Sequence, residues 1–306
     1  MTLAMPSNWK NMARDLQKMF RTGLRIDEPM SKHTTIGVGG RARILATPTS
    51  MDDVARLIRY AGAKKVDYVV IGKGSNLIVR DGGYDGIVIK MSSRLGRVTV
   101  NQRTVRAEGG ASFAALARRM TKMGRTGLEF GVGIPGTVGG AVRMNAGAFG
   151  GEVKDVLRRV KIVEANGRLR TVPASDIEFG YRRTSLSAGC VVLSATFACV
   201  SGTVKREVVD RAIGRKETQP IDARSFGSTF VNPPEGFAAQ MIEGCGLKGA
   251  RRGGAMISGK HANFIVNEAG TATASDVEGL IKLMRNEVEK KYGVTLKTEV
   301  IVIGNR

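Results

Sequence analysis

Aromatic side chains, cysteine and histidine are all scarce in this sequence, and each shortage closes off a class of function. Aromatic residues are 5% of the 306, with one tryptophan, so there is no string of rings on which bases would stack. The three cysteines, Cys190, Cys199 and Cys245, have no Cys-x-x-Cys spacing and cannot all pair. They read as non-catalytic, partly buried thiols in a reducing compartment. Only His33 and His261 could join them, so no metal site is expected. No apolar run approaches the ~20 residues that cross a bilayer. The stretch from Met1 to Arg21 is interrupted by charges at Lys10, Arg14, Asp15 and Lys18. It lacks the compact apolar core of a secretory signal, so a cytoplasmic protein with no membrane partner is expected.

Positive charge and glycine are in excess. Lys and Arg number 48 against 27 Asp and Glu, a net charge of +21. Such a field attracts polyanions. The basic residues are scattered, however, in pairs such as Arg158-Arg159, Arg182-Arg183, Arg251-Arg252 and Lys290-Lys291. No zinc finger or RNP-like string accompanies them. Nucleic acid is therefore not the expected partner, and a small phosphorylated ligand accounts for positive charge equally well.

The coarse pattern is α+β in at least two domains. Ser50 is placed to cap a helix carrying Val54, Leu57, Ile58 and Ala61. Val66–Ile71, Leu77–Val79 and Gly86–Ile89 read as strands, as do Val98–Val100, Thr104–Ala107 and Val191–Val200. A helix is expected over 112–123. Asn166-Gly167 predicts a two-residue hairpin turn. A charged helix over 203–217 ends before Pro220. Ser275 with Glu278 forms a capping-box pattern for a last helix, and Leu296–Ile303 reads as a final strand.

The 40 glycines cluster. In Gly72-Lys73-Gly74-Ser75-Asn76, small residues let backbone N–H groups turn inward as an anion-holding nest, with Ser75 and Asn76 adding donors. The second cluster runs from Gly131 through Ile134, Pro135, Gly136, Thr137, Gly139, Gly140 and Ala141 to Asn145 and Gly147. Gly131, Gly133 and Gly136 formally match G-x-G-x-x-G, but no clear strand precedes them and no suitable acid follows about 20 residues on. Two long glycine segments in one chain point to a dinucleotide cradle of another kind.

These residues, together with His33-Thr34-Thr35, Gly37-Val38-Gly39-Gly40, Arg80-Asp81-Gly82-Gly83 and Met144–Ala148, resemble the FAD-binding half of UDP-N-acetylenolpyruvoylglucosamine reductases. The similarity runs from about residue 31 to the C-terminus. It implies a vanillyl-alcohol-oxidase-type (PCMH-type) FAD-binding fold in two subdomains and a C-terminal α+β substrate domain. The implied division is a helical lead-in over 1–30 and an FAD part over 31–200, split near 90. The substrate part covers 201–306, with 295–306 packing back on the FAD part. The implied cofactors are FAD and NADPH, and the implied reaction is reduction of a UDP-linked enolpyruvyl sugar by a monomer.

The resemblance also assigns the chemistry. Phe179-Gly180-Tyr181-Arg182 matches the motif of a catalytic arginine, Gly227–Pro233 that of a proton-donating serine, and Thr298-Glu299-Val300 that of a catalytic glutamate. Arg182 would stabilise charge developing beside the substrate carboxylate. Ser228 would protonate the neighbouring carbon. Glu299 would orient Arg182 or take part in acid catalysis. Tyr181, Asn232, Lys248 and His261 are the implied substrate contacts. Taken singly, each has an ordinary reading as a turn or surface residue, and only their order and spacing assign function. The sequence departs from the family at Val231 (usually Lys), Lys73 (usually Gly) and Thr184 (commonly Ser). Lys216, Arg224 or Lys248 would have to replace the lost cation. The short stretch from Tyr181 to Pro220 leaves little room for the extra tyrosine loop of longer members, which implies the shorter subtype. An alcohol oxidase or dehydrogenase of the same fold, or a basic nucleic-acid binder, would be the alternatives.

Overall fold

The computed structural model describes residues 7–20 and 23–306, so the sequence reading of 1–6 and 21 lies outside the described residues. The chain divides into two units. Unit 1 is Met1–Glu28, Ala42–Lys73 and Asp85–Ile213, and unit 2 is Pro29–Arg41, Gly74–Tyr84 and Gly214–Arg306. Most of the net positive charge falls in unit 1.

Unit 1 has two cores. Around one, the strands Leu24–Pro29, Arg41–Ala46, Tyr84–Lys90 and Tyr68–Ile71 form a sheet in that order, the last two parallel. Helix Met51–Lys64 covers it with Val54, Leu57, Ile58 and Ala61. Their 3- and 4-residue spacing is one helical face, worth about 1.5–3 kcal/mol for each large apolar side chain buried. The Ser50 side chain accepts from the Asp53 N–H at 3.1 Å, as expected of the cap. Helix Ser7–Met19 adds Met12, Ala13 and Leu16 to this core.

The other core lies on one face of an antiparallel sheet ordered Leu169–Pro173, Leu157–Val163, Val191–Ala198, Thr104–Glu108, Val98–Val100. Val105, Ala107, Val160, Ala195 and Phe197 point to helix Phe113–Lys122. There Phe113 packs its ring 5.9 Å from Phe130 and 6.2 Å from Phe197. The rest of the sheet is mixed: Val163, Val191 and Leu193 belong to the first core. Pro173, Arg159, Thr196, Arg106 and Thr99 form one cross-strand row, and Arg106 Nη2 donates to Ser194 Oγ at 3.2 Å. The Asn166-Gly167 hairpin forms, but its turn is one residue longer than predicted. The Gly167 N–H donates to Glu164 O, the Glu164 N–H donates to Arg168 O, and Gly167 is left-handed with φ 80°. That is the three-residue loop in which a turn is followed by a left-handed glycine.

Unit 2 is built on helix Ala274–Tyr292, which buries Val277, Leu280, Ile281, Met284 and Val288 against strands Ala255–Ile257 and Ile265–Val266 and helix Ala238–Gly244. Its cap corrects the sequence reading. Thr273 and Asp276, not Ser275 and Glu278, form the capping box. Ser275 lies inside the first turn, where its N–H and Oγ donate to Asp81 Oδ2 at 2.9 and 2.6 Å, while the Ala274 N–H donates to Asp81 Oδ1 at 2.8 Å. Glu278 instead receives the Arg80 guanidinium at 3.1 Å. The final strand is also shorter than predicted. Only Ile301–Ile303 is regular, paired in parallel with Leu77–Val79. Residues before it make a single bridge, Thr298 with Phe230, because Asn76 takes the Glu299 carbonyl through its side chain at 3.0 Å. The charged helix spans Arg206–Thr218, and the division between units falls within it.

A carboxylate at a helix N-terminus satisfies orphan amides and complements the helix dipole. Burial raises the Asp81 carboxyl, but the Ser275 hydroxyl and the Ala274 and Ser275 amides lower it by more, leaving it below its ordinary 3.8. Its stabilisation is therefore present above that value and lost as pH falls through the lower native one. Asp81→Ala is expected to cost about 1–2 kcal/mol in urea unfolding at neutral pH. The difference between the two proteins should shrink on acidification past that range, and a constant difference would contradict the capping role.

Candidate functional site

The two glycine segments meet inside unit 1. A Cβ on Gly72 would lie 2.4 Å from Thr137 Oγ1, so the missing side chain lets the end of the first segment pack directly on the second. Beside this contact Lys73 Nζ donates to Ser112 Oγ at 3.0 Å. The Gly139 N–H donates to Gly109 O, the Val138 N–H to Ala111 O and the Phe113 N–H to Gly136 O, lacing 109–113 to 136–139. Thr137 caps the short helix Val138–Arg143 by accepting from the Gly140 N–H at 3.4 Å. Gly140 is exposed, and beyond its neighbours only Thr137 Oγ1, 3.6 Å away, lies near its absent Cβ. Pro135 is exposed, while Ile134 and Gly136 are half-buried. A flat, diphosphate-bearing group fits such a surface: close backbone approach at Gly140, donors at Ser112, and a cation at Lys73.

Other members of the cofactor set also make contacts within the protein. Asn145 is fully buried, with Nδ2 donating to Glu152 Oε2 and Gly180 O and Oδ1 accepting from the Lys154 N–H. The Gly147 carbonyl accepts from Arg182 Nη2 at 3.1 Å. Ala141 is buried in the unit 1 core. Gly74, Ser75 and Asn76 belong to unit 2, where a Cβ on Gly74 would come within 2.1 Å of His33 O.

Tyr181 and Arg182 form the turn of a hairpin in which Phe179 faces Thr184 and Gly180 faces Arg183. Arg182 is left-handed, φ 56°, a conformation that costs a side-chain-bearing residue roughly 1–2 kcal/mol. The guanidinium is held over the Tyr181 ring, 4.6 Å from its centroid, as well as against Gly147 O. Strain kept at one arginine, with two contacts fixing its head, fits a cation that must be in place before charge develops.

Ser228 and Glu299 are neighbours in unit 2. The Ser228 backbone bridges Phe264, and the Glu299 N–H donates to Thr229 O at 2.9 Å. Both residues are half-buried. The Val231 N–H donates to Lys297 O at 3.0 Å. Asn232 Oδ1 accepts from the Ala238 N–H, opening helix Ala238–Gly244. Lys248 Nζ lies 2.6 Å from Glu243 Oε1, so its charge is shared with that carboxylate. The His261 ring stands edge-on to Phe264 at 4.9 Å, and its Nδ1 accepts from the Asn263 N–H.

Sequence reasoning missed Thr137 as the contact between the glycine segments and Asn263 as the anchor of the serine segment. A threonine before Val-Gly-Gly is a readable cap signal. Nothing local marks Asn263, whose partners are 33 residues away.

An α+β chain with paired glycine loops suits a dinucleotide, and comparison with known proteins places it in the class of FAD-binding proteins. A model of the FAD binding domain matches residues 42–173, and one of the C-terminal domain of UDP-N-acetylenolpyruvoylglucosamine reductase matches residues 219–303. Reductases of that name from Clostridium botulinum (strain 657) and Geobacillus kaustophilus are 42% and 41% identical over 91% of this chain and 92% of theirs. A crystal structure of UDP-N-acetylenolpyruvylglucosamine reductase from Thermus caldophilus covers 91% of this chain and 99% of its own, with 33% identity and a TM-score of 0.78. Alkyldihydroxyacetonephosphate synthase, 16% identical with a TM-score of 0.50 over 66% of this chain and 42% of its own, shares the fold alone. The chain belongs to the UDP-N-acetylenolpyruvoylglucosamine reductase family. The α+β fold with an FAD-binding domain expected from the sequence is the one found.

Burial, and then the charges of Lys248 and Arg215, push the His261 imidazole below its ordinary 6.5. It is neutral at physiological pH. Because the unfolded chain takes up the proton first, His261 has no effect above about 6.5 and destabilises the fold as pH falls from there toward its native value. His261→Gln should therefore flatten the dependence of Tm on pH in that window. Parallel curves for the two proteins would show that another group titrates.

Proposed function

We propose that this chain, with bound FAD, reduces the enolpyruvyl ether of UDP-N-acetylglucosamine to UDP-N-acetylmuramate at the expense of NADPH, supplying peptidoglycan precursor synthesis. The observation that carries the residue assignment is the direct bond between the serine and glutamate segments, Glu299 N–H to Thr229 O. It supports a proton donor and a carboxylate that keep a constant separation.

FAD, when bound, would supply the hydride-transfer chemistry that links NADPH to the substrate double bond. Lys73, Ser112 and the backbone around Gly72 and Gly136–Gly140 would hold its diphosphate and ring. Arg182, pre-set by its turn and by Tyr181, stabilises negative charge developing at the substrate carboxylate. The Ser228 Oγ gives its proton to the carbon beside that carboxylate. A serine hydroxyl is a weak acid, so its contribution depends on how it is aligned and on the groups that hold it. Glu299, tied to the serine segment, takes part in acid catalysis by returning the proton. Lys248 and His261 offer the UDP moiety a cation and a neutral imidazole, and Asn232 is a further contact to it. The protein acts as a monomer in the cytoplasm. All three cysteines are free, and burial raises each thiol above its ordinary pKa. Unpaired, unreactive thiols support the reducing compartment. No helix among the described residues is long and apolar enough to cross a membrane.

The test is a purified yellow protein with flavin absorption bands that oxidises NADPH only when the UDP-enolpyruvyl sugar is added. Ser228→Ala should leave flavin reduction by NADPH intact and slow reoxidation by the sugar by about 10²–10⁴-fold. Absence of flavin, or a Ser228→Ala enzyme at parental speed, would overturn the assignment.

A further inference from the structure

The serine segment, Gly227–Val231, is not part of any regular strand, yet Thr229 and Phe230 are buried at 0% and 1% exposure. Buried backbone polar groups must be paired, and here one side chain does much of the pairing. Asn263 Oδ1 accepts from the Phe230 N–H at 2.9 Å and Asn263 Nδ2 donates to Phe230 O at 2.8 Å. Asn263 O also accepts from the Thr229 N–H at 2.8 Å. The amide thus offers a donor and an acceptor to one residue, as the opposite residue of an antiparallel ladder would. At 3% exposure it is out of reach of water that might replace it. The next bond outward, Glu299 N–H to Thr229 O, ties on the glutamate, and Asn76 Nδ2 holds the Glu299 carbonyl at 3.0 Å.

We infer that Asn263 is a positioning residue whose side chain stands in for a missing β-strand and sets Ser228 in line for proton transfer, with Glu299 fixed through the same bonds. This rests on the reading of Ser228 as proton donor. Asn263 touches neither substrate nor cofactor in this role. It acts through the backbone of the two residues that follow Ser228. Asn76 extends the same device to the glutamate, which gives a residue of the first glycine segment a second role besides ligand contact.

The test uses holoenzyme carrying Asn263→Ala. Amide hydrogen exchange at Phe230 and Glu299 should accelerate by about tenfold or more. Flavin content and flavin reduction by NADPH should stay parental. Reoxidation by the UDP-enolpyruvyl sugar should slow about 100-fold, the order associated with a ~1 Å misplacement, with a larger solvent deuterium isotope effect as proton transfer becomes limiting. A merely structural residue would lower Tm and flavin content without changing the isotope effect. Exchange at Phe230 that stays parental overturns the inference, as does lost protection with parental reoxidation. If the alanine protein does not fold, Asn263→Asp replaces the donor by an oxygen against Phe230 O at nearly constant shape, and the same readings decide. Should the parent holoenzyme not be reoxidised by that sugar at all, the functional reading fails, while exchange at Phe230 still judges the pairing.

Discussion

Unit 2 depends on one short excursion of the chain, Gly74–Tyr84, which reaches the C-terminal residues from more than 200 positions away in sequence (223 between Asn76 and Glu299). Almost every residue of it is used. Among the described residues, Leu77–Val79 is the only strand that Ile301–Ile303 pairs with. The Arg80 N–H donates to Ile303 O and the Gly82 N–H to Asn305 O. Arg80 also forks onto Glu278, and Asp81 caps helix Ala274–Tyr292. Without the excursion, the final strand would lack a partner and the first amides of the helix an acceptor. The entropy of closing so long a loop rises only slowly with length, so the arrangement is affordable at equilibrium. Its contacts are among the least local in the chain.

That distance also explains which elements were legible in the sequence. Helix Met51–Lys64 could be read because cap, apolar face and end all lie within its own residues. The last helix was found, but its start was misplaced by two residues. Thr273-x-x-Asp276 and Ser275-x-x-Glu278 are both acceptable capping boxes, and the choice is made by Asp81 and Arg80, which occupy Ser275 and Glu278 from afar. Leu296–Ile303 ends in the β-branched run Val300–Ile303, which reads as a strand. It is a strand only where Leu77–Val79 is available to pair with it.

Glycine carried the functional signal and also blurred it. Gly72 is small because Thr137 packs against it, and Gly74 because His33 O does. Both serve the packing of protein on protein. Gly140, exposed and with only Thr137 Oγ1 near its absent Cβ, is the position in the proposed cradle where backbone is most open to an outside group. From sequence alone the two kinds of glycine look the same. The order of motifs could identify a family, while the division of labour within each motif needed coordinates. Asn145 shows this from the other side: it stands in a motif that suggests ligand contact, and every polar atom of its side chain is bonded to protein.

The proposed catalytic groups are held by two different physical devices. Arg182 is fixed locally: a two-residue turn forces it left-handed, and the ring of its neighbour and a carbonyl take its head. The cost is strain of a kcal/mol or two, borne by a hairpin short enough to leave the cation few alternative positions. Ser228 is fixed at long range, by buried bonds that reach it through Thr229 and Phe230. Those bonds add little net stability, since unfolded amides are bonded to water, but breaking one side leaves a buried group unpaired. The asymmetry follows from the tasks. A cation that stabilises charge tolerates small displacements, because Coulomb energy varies slowly with distance. Proton transfer does not, since its rate depends on reach and angle at the scale of a hydrogen bond. The more demanding group is the one anchored in the interior.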